Sequence, residues 1–443
     1  MSDYSSLHKQ VVFTNLSDTE IEKLIDILNS KRSNCSKKNL KSVELSNEER
    51  AFLQCCRENR ENEKGEISCP KCGTFKDIRP YGKYKGRQRY RCRLCGRTFA
   101  DTVGTVLYRS KLSISTWIQF IRFVLQGESC RTISRELHIN KSTVLYNRHR
   151  ICSILREFTE NKDNFPSMAE GDEYYYGLSF KDIKNPSFFV DTLERMPFTH
   201  MSRTKRYEYV AQLGYDEDFV EELKMLEIYR KNSLMAFVDE EDLKSQTKFS
   251  RAVNAMEKPK CLEVLKTLDE QQKKKVGISN QQVCILTCVD PTHNHYLQSV
   301  CVGRIQPKHI EKTLVPHFTK DTILVTDSHS AYKRVANKRK IPLRQIPSGK
   351  HTSNGYSLAH INGYHRNVSG FFYPYQGVST KYLPNYLSLF YWKEKHKDLT
   401  YEDQAYEIIS LLAMQAKKIP LNQFKNTPIT IDLKGILGHP QRA

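Results

Sequence analysis

Four cysteines in two closely spaced pairs constrain the fold more than any other feature of the chain. Cys69 and Cys72 form one CxxC unit, and Cys92 and Cys95 form a second unit nineteen residues later. Each unit presents two thiolates from one tight turn, and four thiolates make a tetrahedral zinc site. A redox pair of thiols is the alternative. We therefore predict a structural zinc ribbon over residues 66–108, with the glycine after each second cysteine supplying the turn conformation.

The segment between the two CxxC units is basic and aromatic. Its cations alternate with tyrosines, which suits phosphate contact combined with stacking on DNA. On a two-stranded ribbon these side chains would form one surface; a merely solvated basic face is the alternative. The candidate DNA-binding residues here are Lys83, Lys85, Arg87, Arg89 and Arg91.

Residues 110–160 are predicted to form a helix-turn-helix. Apolar residues recur at helical spacing after Ser113, and two further helices follow around a turn at residues 138–140. Asn140 would cap the second of these helices, which then enters a major groove of DNA. A plain helical hairpin is the alternative. The residues predicted to face DNA are Lys141, Ser142, Thr143, Asn147 and Arg148.

The size and charge of the chain agree with several domains and a polyanionic partner. A chain of 443 residues exceeds one ordinary domain. Its net charge of +20 favours nucleic acid, although a membrane surface would also fit. No apolar run reaches membrane-spanning length and the first residues do not resemble a signal peptide, so we expect a cytoplasmic, nucleoid-associated protein without a membrane partner.

The chain beyond residue 160 contains carboxylates on segments that are predicted to be strands. An apolar run, Thr322–Asp327, ends in an aspartate that would be held rigidly at a sheet edge. A second candidate, Asp172, lies in the strand-like segment 169–177. Glu173 is adjacent to it and would point to the opposite face. We therefore choose Asp172 and Asp327 as metal ligands.

The order of elements between the two aspartates indicates a ribonuclease-H-like sheet. A hairpin (residues 283–302) and a helix (residues 307–318) separate the first strand from the strand that ends at Asp327. Two carboxylates and a third ligand can hold a pair of divalent ions. Asn362 and His365 are three residues apart on one predicted helical face, and either can ligate a metal.

The remaining segments are assigned from helical patterns. Residues 1–65 form a helical leader with capping boxes at Ser17 and Ser46. Residues 184–275 are a mostly helical insertion that interrupts the catalytic domain, itself formed by residues 165–183 and 276–395. Residues 396–443 form a helical tail. The predicted fold class is thus a multidomain α+β protein.

The motifs together resemble a bacterial insertion-sequence transposase with an N-terminal zinc ribbon and an acidic-triad catalytic domain. The resemblance is carried by the two CxxC units, the helix-turn-helix, and four later motifs at 171–174, 325–327, 360–365 and 377–386. It covers roughly residues 66–182 and 276–395, and the order of the motifs is more specific than any one of them.

The resemblance implies a DNA transposase that binds inverted terminal repeats and transfers strands with Mg²⁺ or Mn²⁺. Asp172 and Asp327 match the first two acids, whereas His365 (or Asn362) stands where many members have glutamate. Ser369 stands where a lysine is expected, which leaves Arg366 and Lys381 as substitutes. The partners implied are double-stranded DNA and a second copy of the chain.

Two alternatives remain open. One is a catalytically retired transposase that acts as a DNA-binding repressor, and the other is a zinc-ribbon transcription accessory factor.

Overall fold

The computed structural model describes most of the chain, in two compact units, Met1–Val103 and Gly104–Ala443. The described residues are 45–84, 87–108, 110–159, 163–181, 183, 188–189, 203–232, 259–272, 276–350, 352–414, 424, 427–431 and 433. Five predictions fall wholly or partly outside them: the Ser17 capping box, Lys85, and much of the 1–65 leader, the 184–275 insertion and the 396–443 tail.

The first unit combines a helix with a small sheet. Its elements are α1 (Asn47–Glu58), β1 (Ile78–Tyr84), β2 (Arg87–Cys92) and β3 (Thr98–Ala100). Ser46 caps α1 as predicted, because its hydroxyl oxygen accepts a hydrogen bond from the Glu49 amide at 3.2 Å. The strands form an antiparallel sheet in the order β1-β2-β3, so the predicted two-stranded ribbon has a third strand.

Helix α1 packs on this sheet through polar contacts at both of its ends. Near its start, Glu49 forms an ion pair of 3.4 Å with Arg87 of β2. Just after its end, Arg60 donates a hydrogen bond of 3.4 Å to the carbonyl oxygen of Ala100 in β3. The described part of the leader and the cysteine-bearing ribbon therefore fold together.

The second unit begins with three helices: α2 (Ile114–Leu125), α3 (Cys130–Glu136) and α4 (Lys141–Thr159). Serines cap the first two helices, and Asn140 accepts from the Ser142 amide at 2.8 Å, as predicted. The apolar face of α2 is buried, as are Ile133 and Val144 of the helix-turn-helix. The helices predicted within residues 110–160 are therefore present.

A mixed five-stranded sheet forms the centre of the second unit. Its strands are β4 (Met168–Gly177), β5 (Gln282–Val289), β6 (His295–Val302), β7 (Ile323–Asp327) and β8 (Leu343–Ile346). The spatial order is β6-β5-β4-β7-β8. Strand β5 runs antiparallel to both of its neighbours, whereas β7 runs parallel to β4 and β8 runs parallel to β7.

Helices cover both faces of the sheet. On one face, α8 (Pro307–Thr313) and α9 (Ser330–Arg339) bury Ile310 and Tyr332 in the same apolar cluster as Leu286 of β5. The predicted helix over residues 307–318 ends early, because Pro316 lies in a short 3-10 turn, Val315–His317. On the other face lies α10 (Ala359–Phe372). A small two-stranded sheet precedes α10, formed by β9 (Thr352–Ser353) and β10 (Tyr356–Ser357).

The described parts of the insertion are helical, as predicted. They are α5 (Arg203–Gln212), α6 (Glu217–Asn232) and α7 (Pro259–Gln272). A buried ionic cluster joins all three helices: Arg206 contacts Glu227 at 3.4 Å and Asp269 at 2.7 Å. Burying a guanidinium requires such partners, so these contacts fix how the helices pack together.

Two C-terminal helices connect the sheet to the helix-turn-helix. Helix α11 (Leu383–Lys395) packs against both β6 and α4. Helix α12 (Tyr401–Met414) packs against α2 and α4 and buries Ala405, Ile408, Ile409 and Leu412. Among the described residues, no helix has the length and apolar character needed to span a membrane.

Candidate functional site

The four predicted zinc ligands meet in the first unit. Cys69 Sγ lies 3.6 Å from Cys95 Sγ, and Cys72 Sγ lies 3.7 Å from Cys92 Sγ. All four sulfur atoms lie within 4.8 Å of one another. A zinc tetrahedron with bonds of about 2.3 Å has edges of about 3.8 Å, so this cluster could hold zinc.

Local backbone geometry explains why the sulfur atoms converge. Gly73 and Gly96 adopt φ angles of 71° and 68°, which other residues rarely tolerate. In the first turn, the Gly73 amide donates to the Cys69 carbonyl oxygen at 2.9 Å, and the Lys71 amide points at Cys69 Sγ at 3.5 Å. The turn conformations predicted for the two glycines are confirmed.

The basic face of the ribbon is partly exposed. Arg87, Arg89 and Arg91 alternate along β2 with residues of its other face, and Arg89 and Arg91 each lie 5.6 Å from the Tyr81 ring centre. Lys83 and Arg91 are exposed, whereas Arg87 is partly engaged by Glu49. The alternation follows from the two-residue repeat of a strand, so Arg87, Arg89 and Arg91 share one face, whereas Lys83 pairs with Gln88 and lies on the opposite face.

The helix-turn-helix exposes only part of the predicted DNA-binding set. Lys141, Ser142 and Thr143, in the first turn of α4, are exposed. Asn147 and Arg148 are 4% and 2% exposed, so the prediction that they face a DNA groove is wrong. The second half of α4 packs against α11, and Arg148 instead donates to the Glu128 carbonyl oxygen and lies 5.3 Å from the Tyr375 ring.

The two predicted catalytic aspartates lie on neighbouring parallel strands. Glu170 of β4 is level with Val325 of β7, where the paired ladder ends. Continuing that register by two residues puts Asp172 level with Asp327. Level residues of parallel strands point to the same side, so both carboxylates lie on the same face of the sheet. Asp172 is therefore in the middle of its strand rather than opening it, and Asp327 ends the next strand.

The buried carboxyl groups of Asp172 and Glu173 have raised pKa values. Burial, opposed by a hydrogen bond from the Glu173 amide and assisted by the negative charge of Asp327, raises the pKa of Asp172 to about 6. Burial also raises the pKa of Glu173 to about 7, and both aspartates contribute. Such a group of negative charges favours a bound cation.

His365 of α10 lies above Asp172. Its Nδ1 is 3.8 Å from Asp172 Oδ2, and its Nε2 is 2.7 Å from the Thr287 hydroxyl of β5. That hydroxyl donates its proton to the Asp172 carbonyl oxygen at 2.7 Å, so it accepts from His365 Nε2. Burial lowers the pKa of His365 to about 4. The imidazole is therefore neutral near pH 7, with an unprotonated Nδ1 beside the aspartate.

His365 Nδ1 and the Asp172 carboxylate are atoms that can ligate a divalent cation. A ligating histidine commonly donates its other N–H to a fixed acceptor, which is what Thr287 provides. Two atoms bonded to one ion by bonds of about 2 Å lie at most about 4 Å apart, and the 3.8 Å between His365 and Asp172 satisfies this limit. Within the described part of the chain, however, only the four cysteines form a set of three or more such ligand atoms within 4.8 Å.

The other residues proposed as the third ligand, or as substitutes for the expected lysine, are either exposed or engaged in contacts of their own. Asn362 is exposed on α10, one turn before His365. Ser369 Oγ donates to the His365 carbonyl oxygen at 2.9 Å and lies 3.1 Å from the Tyr174 hydroxyl. Of the two substitutes for the expected lysine, Arg366 is exposed, whereas Lys381 is 8% exposed, with its Nζ 4.7 Å from the Tyr382 ring.

Sequence reasoning missed the contact between Glu170 and His360, which holds α10 in place. Glu170, 1% exposed, accepts a hydrogen bond of 2.6 Å from His360 Nδ1 and one of 2.9 Å from the Ile361 amide. It thereby fixes the first turn of the helix that carries His365. Its position two residues before Asp172, on the same face of the strand, is the signal that could have identified it.

Comparison with known proteins links the chain to a mobile element. It is 31% identical over 124 residues to an uncharacterized protein in transposable element ISH50 of Halobacterium salinarum. The match covers 27% of this chain and 41% of that relative. No protein-family model matches the chain, and no solved structure matches it. The chain is therefore similar in part to a protein of a transposable element, and its four-cysteine cluster could hold zinc.

Proposed function

We propose that the chain is a transposase that binds the terminal inverted repeats of its mobile element and catalyses metal-dependent cleavage and strand transfer. The observation that carries this proposal is the arrangement of Asp172 and Asp327 on adjacent parallel strands, with the neutral imidazole of His365 above Asp172. The relative from a transposable element supports the same class of function.

The topology of the sheet is consistent with a ribonuclease-H-like domain. Numbered within the sheet, its strands follow the spatial order 3-2-1-4-5, and the second strand is antiparallel to the rest. The candidate acids lie on strands one and four, at the centre of this order. A long insertion after the first strand leaves this central arrangement intact.

DNA recognition is assigned to the first unit and the helix-turn-helix. The ribbon would contact phosphates through Lys83, Arg89 and Arg91, and α4 would approach a groove with its exposed first turn, Lys141–Thr143. Zinc would stabilise the ribbon. Since two element ends must be brought together, we expect the active species to contain at least two copies of the chain.

In the proposed reaction, water attacks the phosphodiester at the element end. The new bond joins the water oxygen to phosphorus, the bond to the 3′ oxygen breaks, and that oxygen takes a proton. The freed 3′ hydroxyl then attacks a target phosphodiester and displaces a second alcohol. Mg²⁺ or Mn²⁺ held by Asp172, Asp327 and His365 or Asn362 would supply charge stabilisation at phosphorus. Asp172, kept unprotonated above about pH 6, can also orient the attacking oxygen.

The test uses the full chain and labelled DNA from the regions flanking its coding sequence. We expect cleavage with Mg²⁺ or Mn²⁺, abolished by Asp172→Asn and by Asp327→Asn while DNA binding persists. Asp321→Asn, an exposed carboxylate just before β7, serves as the matched control. Cleavage that survives both active-site substitutions would contradict the proposal.

One observation favours the non-catalytic alternative, a DNA-binding repressor. Among the described residues, the two aspartates and His365 do not form a set of ligand atoms as compact as the cysteine cluster. If the protein binds the element ends tightly but leaves them uncut with either metal, the repressor is the better description.

A further inference from the structure

A basic groove lies beside the candidate site, along the second half of α10. It has a volume of about 860 Å³ and lies between α10, the ends of α2 and α11, and the start of α12. Its charged lining residues are three cations, Arg366, Lys393 and Lys397, and one anion, Glu394. The groove therefore has an excess of positive charge. None of its residues belongs to the helix-turn-helix surface or the ribbon described above.

The groove combines its cations with aromatic rings. Lys393 Nζ lies 5.6 Å from the ring centre of Phe371 and 5.8 Å from that of Tyr401. Phe371 is 9% exposed and forms part of the floor, whereas Tyr401 is 41% exposed and offers a ring face. A cation next to an exposed ring is the combination that binds a phosphate and an unstacked base together.

A buried acceptor beside the groove lacks a hydrogen-bond partner. Gln404 is 2% exposed, and its side-chain nitrogen donates to the carbonyl oxygens of His396 and Leu399 at 2.9 and 3.2 Å. In the described part of the chain, its Oε1 accepts no hydrogen bond. Buried acceptors are normally satisfied, so this oxygen would gain a hydrogen bond only if binding in the groove opened a path to it.

The groove continues from the candidate active site along one helical stripe. Asn362, Arg366 and Gly370 are spaced four residues apart on α10, so they lie on one side of the helix. At a rise of 1.5 Å per residue, the stripe extends about 12 Å. A DNA strand that leaves the candidate site can reach the groove within a few nucleotides.

We propose that this groove binds a single-stranded segment of DNA next to the cleaved bond. Lys393 and Arg366 contact its phosphates, and Tyr401 stacks on a base. The size of the groove is within the range of small-ligand pockets and is too small for a duplex. The inference rests on the proposed function for its role, although the binding itself requires no metal.

The test is photocrosslinking of the full chain to a short oligothymidine that carries one 5-iodouracil. We expect a crosslinked peptide that contains Tyr401. Lys393→Gln and Tyr401→Ala should each lower its yield about tenfold, whereas Tyr401→Phe should retain it because stacking is preserved. Lys333→Gln, an exposed lysine of α9, is the matched charge control and should have no effect. Thermal unfolding of each variant verifies that it is folded.

Three outcomes would overturn the inference. They are crosslinks found only outside the groove, yields unchanged by Lys393→Gln and Tyr401→Ala, or equal crosslinking of the same sequence as a duplex. Competition by thymidine monophosphate as well as by the oligonucleotide would identify the ligand as a free nucleotide instead of a strand, which also overturns it.

The two proposals fail in different ways. Crosslinking should persist in Asp327→Asn, because that residue lies outside the groove. If the groove crosslinks but cleavage is insensitive to Asp327→Asn, the catalytic proposal fails and the binding site stands. If Asp327→Asn abolishes cleavage but groove variants crosslink and cleave like the wild type, only the groove proposal fails.

Discussion

Replacing Asp172 with asparagine should stabilise the metal-free protein while abolishing cleavage. Burial and the nearby Asp327 raise the pKa of Asp172 from 3.8 to about 6, so ionising this side chain costs more in the folded state than in the unfolded state. A shift of roughly two units corresponds to about 3 kcal/mol. Asparagine keeps an oxygen for the hydrogen bond of 2.8 Å from the Glu173 amide, but carries no charge.

The stability gained by Asp172→Asn depends on pH, because the pKa of Asp172 is raised in the folded state. A carboxyl whose folded pKa is raised loses stability as pH rises through the folded value, here about 6. The stability advantage of Asp172→Asn should therefore be near zero around pH 4 and complete by about pH 8. Since 1 kcal/mol shifts the Tm of a large domain by roughly 2 °C, we expect an increase of about 6 °C at the higher pH.

The assay is thermal unfolding of the zinc-loaded protein across this pH range, without added Mg²⁺ or Mn²⁺. Asp321→Asn controls for the loss of a surface charge. Adding Mn²⁺ should raise the Tm of the wild type and narrow its difference from the variant, because bound metal offsets the repulsion. A variant that is less stable at about pH 8, or whose advantage does not change with pH, would refute the electrostatic reasoning.

Three further predictions concern other parts of the molecule. Cys92→Ser should abolish zinc binding and unfold the first unit, since a structural zinc contributes on the order of 10 kcal/mol; zinc content and near-ultraviolet circular dichroism would measure this, and retained stoichiometric zinc would contradict it. His365→Glu should shift cleavage from a preference for Mn²⁺ towards Mg²⁺, because imidazole suits softer ions than carboxylate does; an unchanged metal preference would argue against ligation by His365. Glu170→Gln keeps an acceptor for Ile361 but loses the charge-assisted contact with His360, so we expect a stability loss of about 1–2 kcal/mol and slower cleavage with unchanged DNA affinity; equal kcat would exclude a positioning role.

The sequence predicted features that depend on local spacing. The cysteine cluster, the serine and asparagine caps, and the alternation of cations along β2 all follow from patterns a few residues long. The strand that ends at Asp327 was also found from its apolar run. These elements need little information from distant parts of the chain.

Features that depend on long-range packing were not predictable in the same way. Asn147 and Arg148 occupy a helix whose sequence suits a groove of DNA, yet α11 covers them, and nothing near them in the sequence indicates this. The contacts of Thr287 with His365 and of Glu170 with His360 join segments that are 78 and 190 residues apart. Periodicity within either segment does not specify such pairs.

The packing of α11 and α12 against α4 has a consequence for where a DNA strand would be cut. Because α4 packs on α11 and α12 within the same compact unit as the sheet, its exposed first turn is held at a fixed distance from the aspartates. In the proposed reaction, this fixed distance sets the number of base pairs between the recognised sequence and the scissile bond.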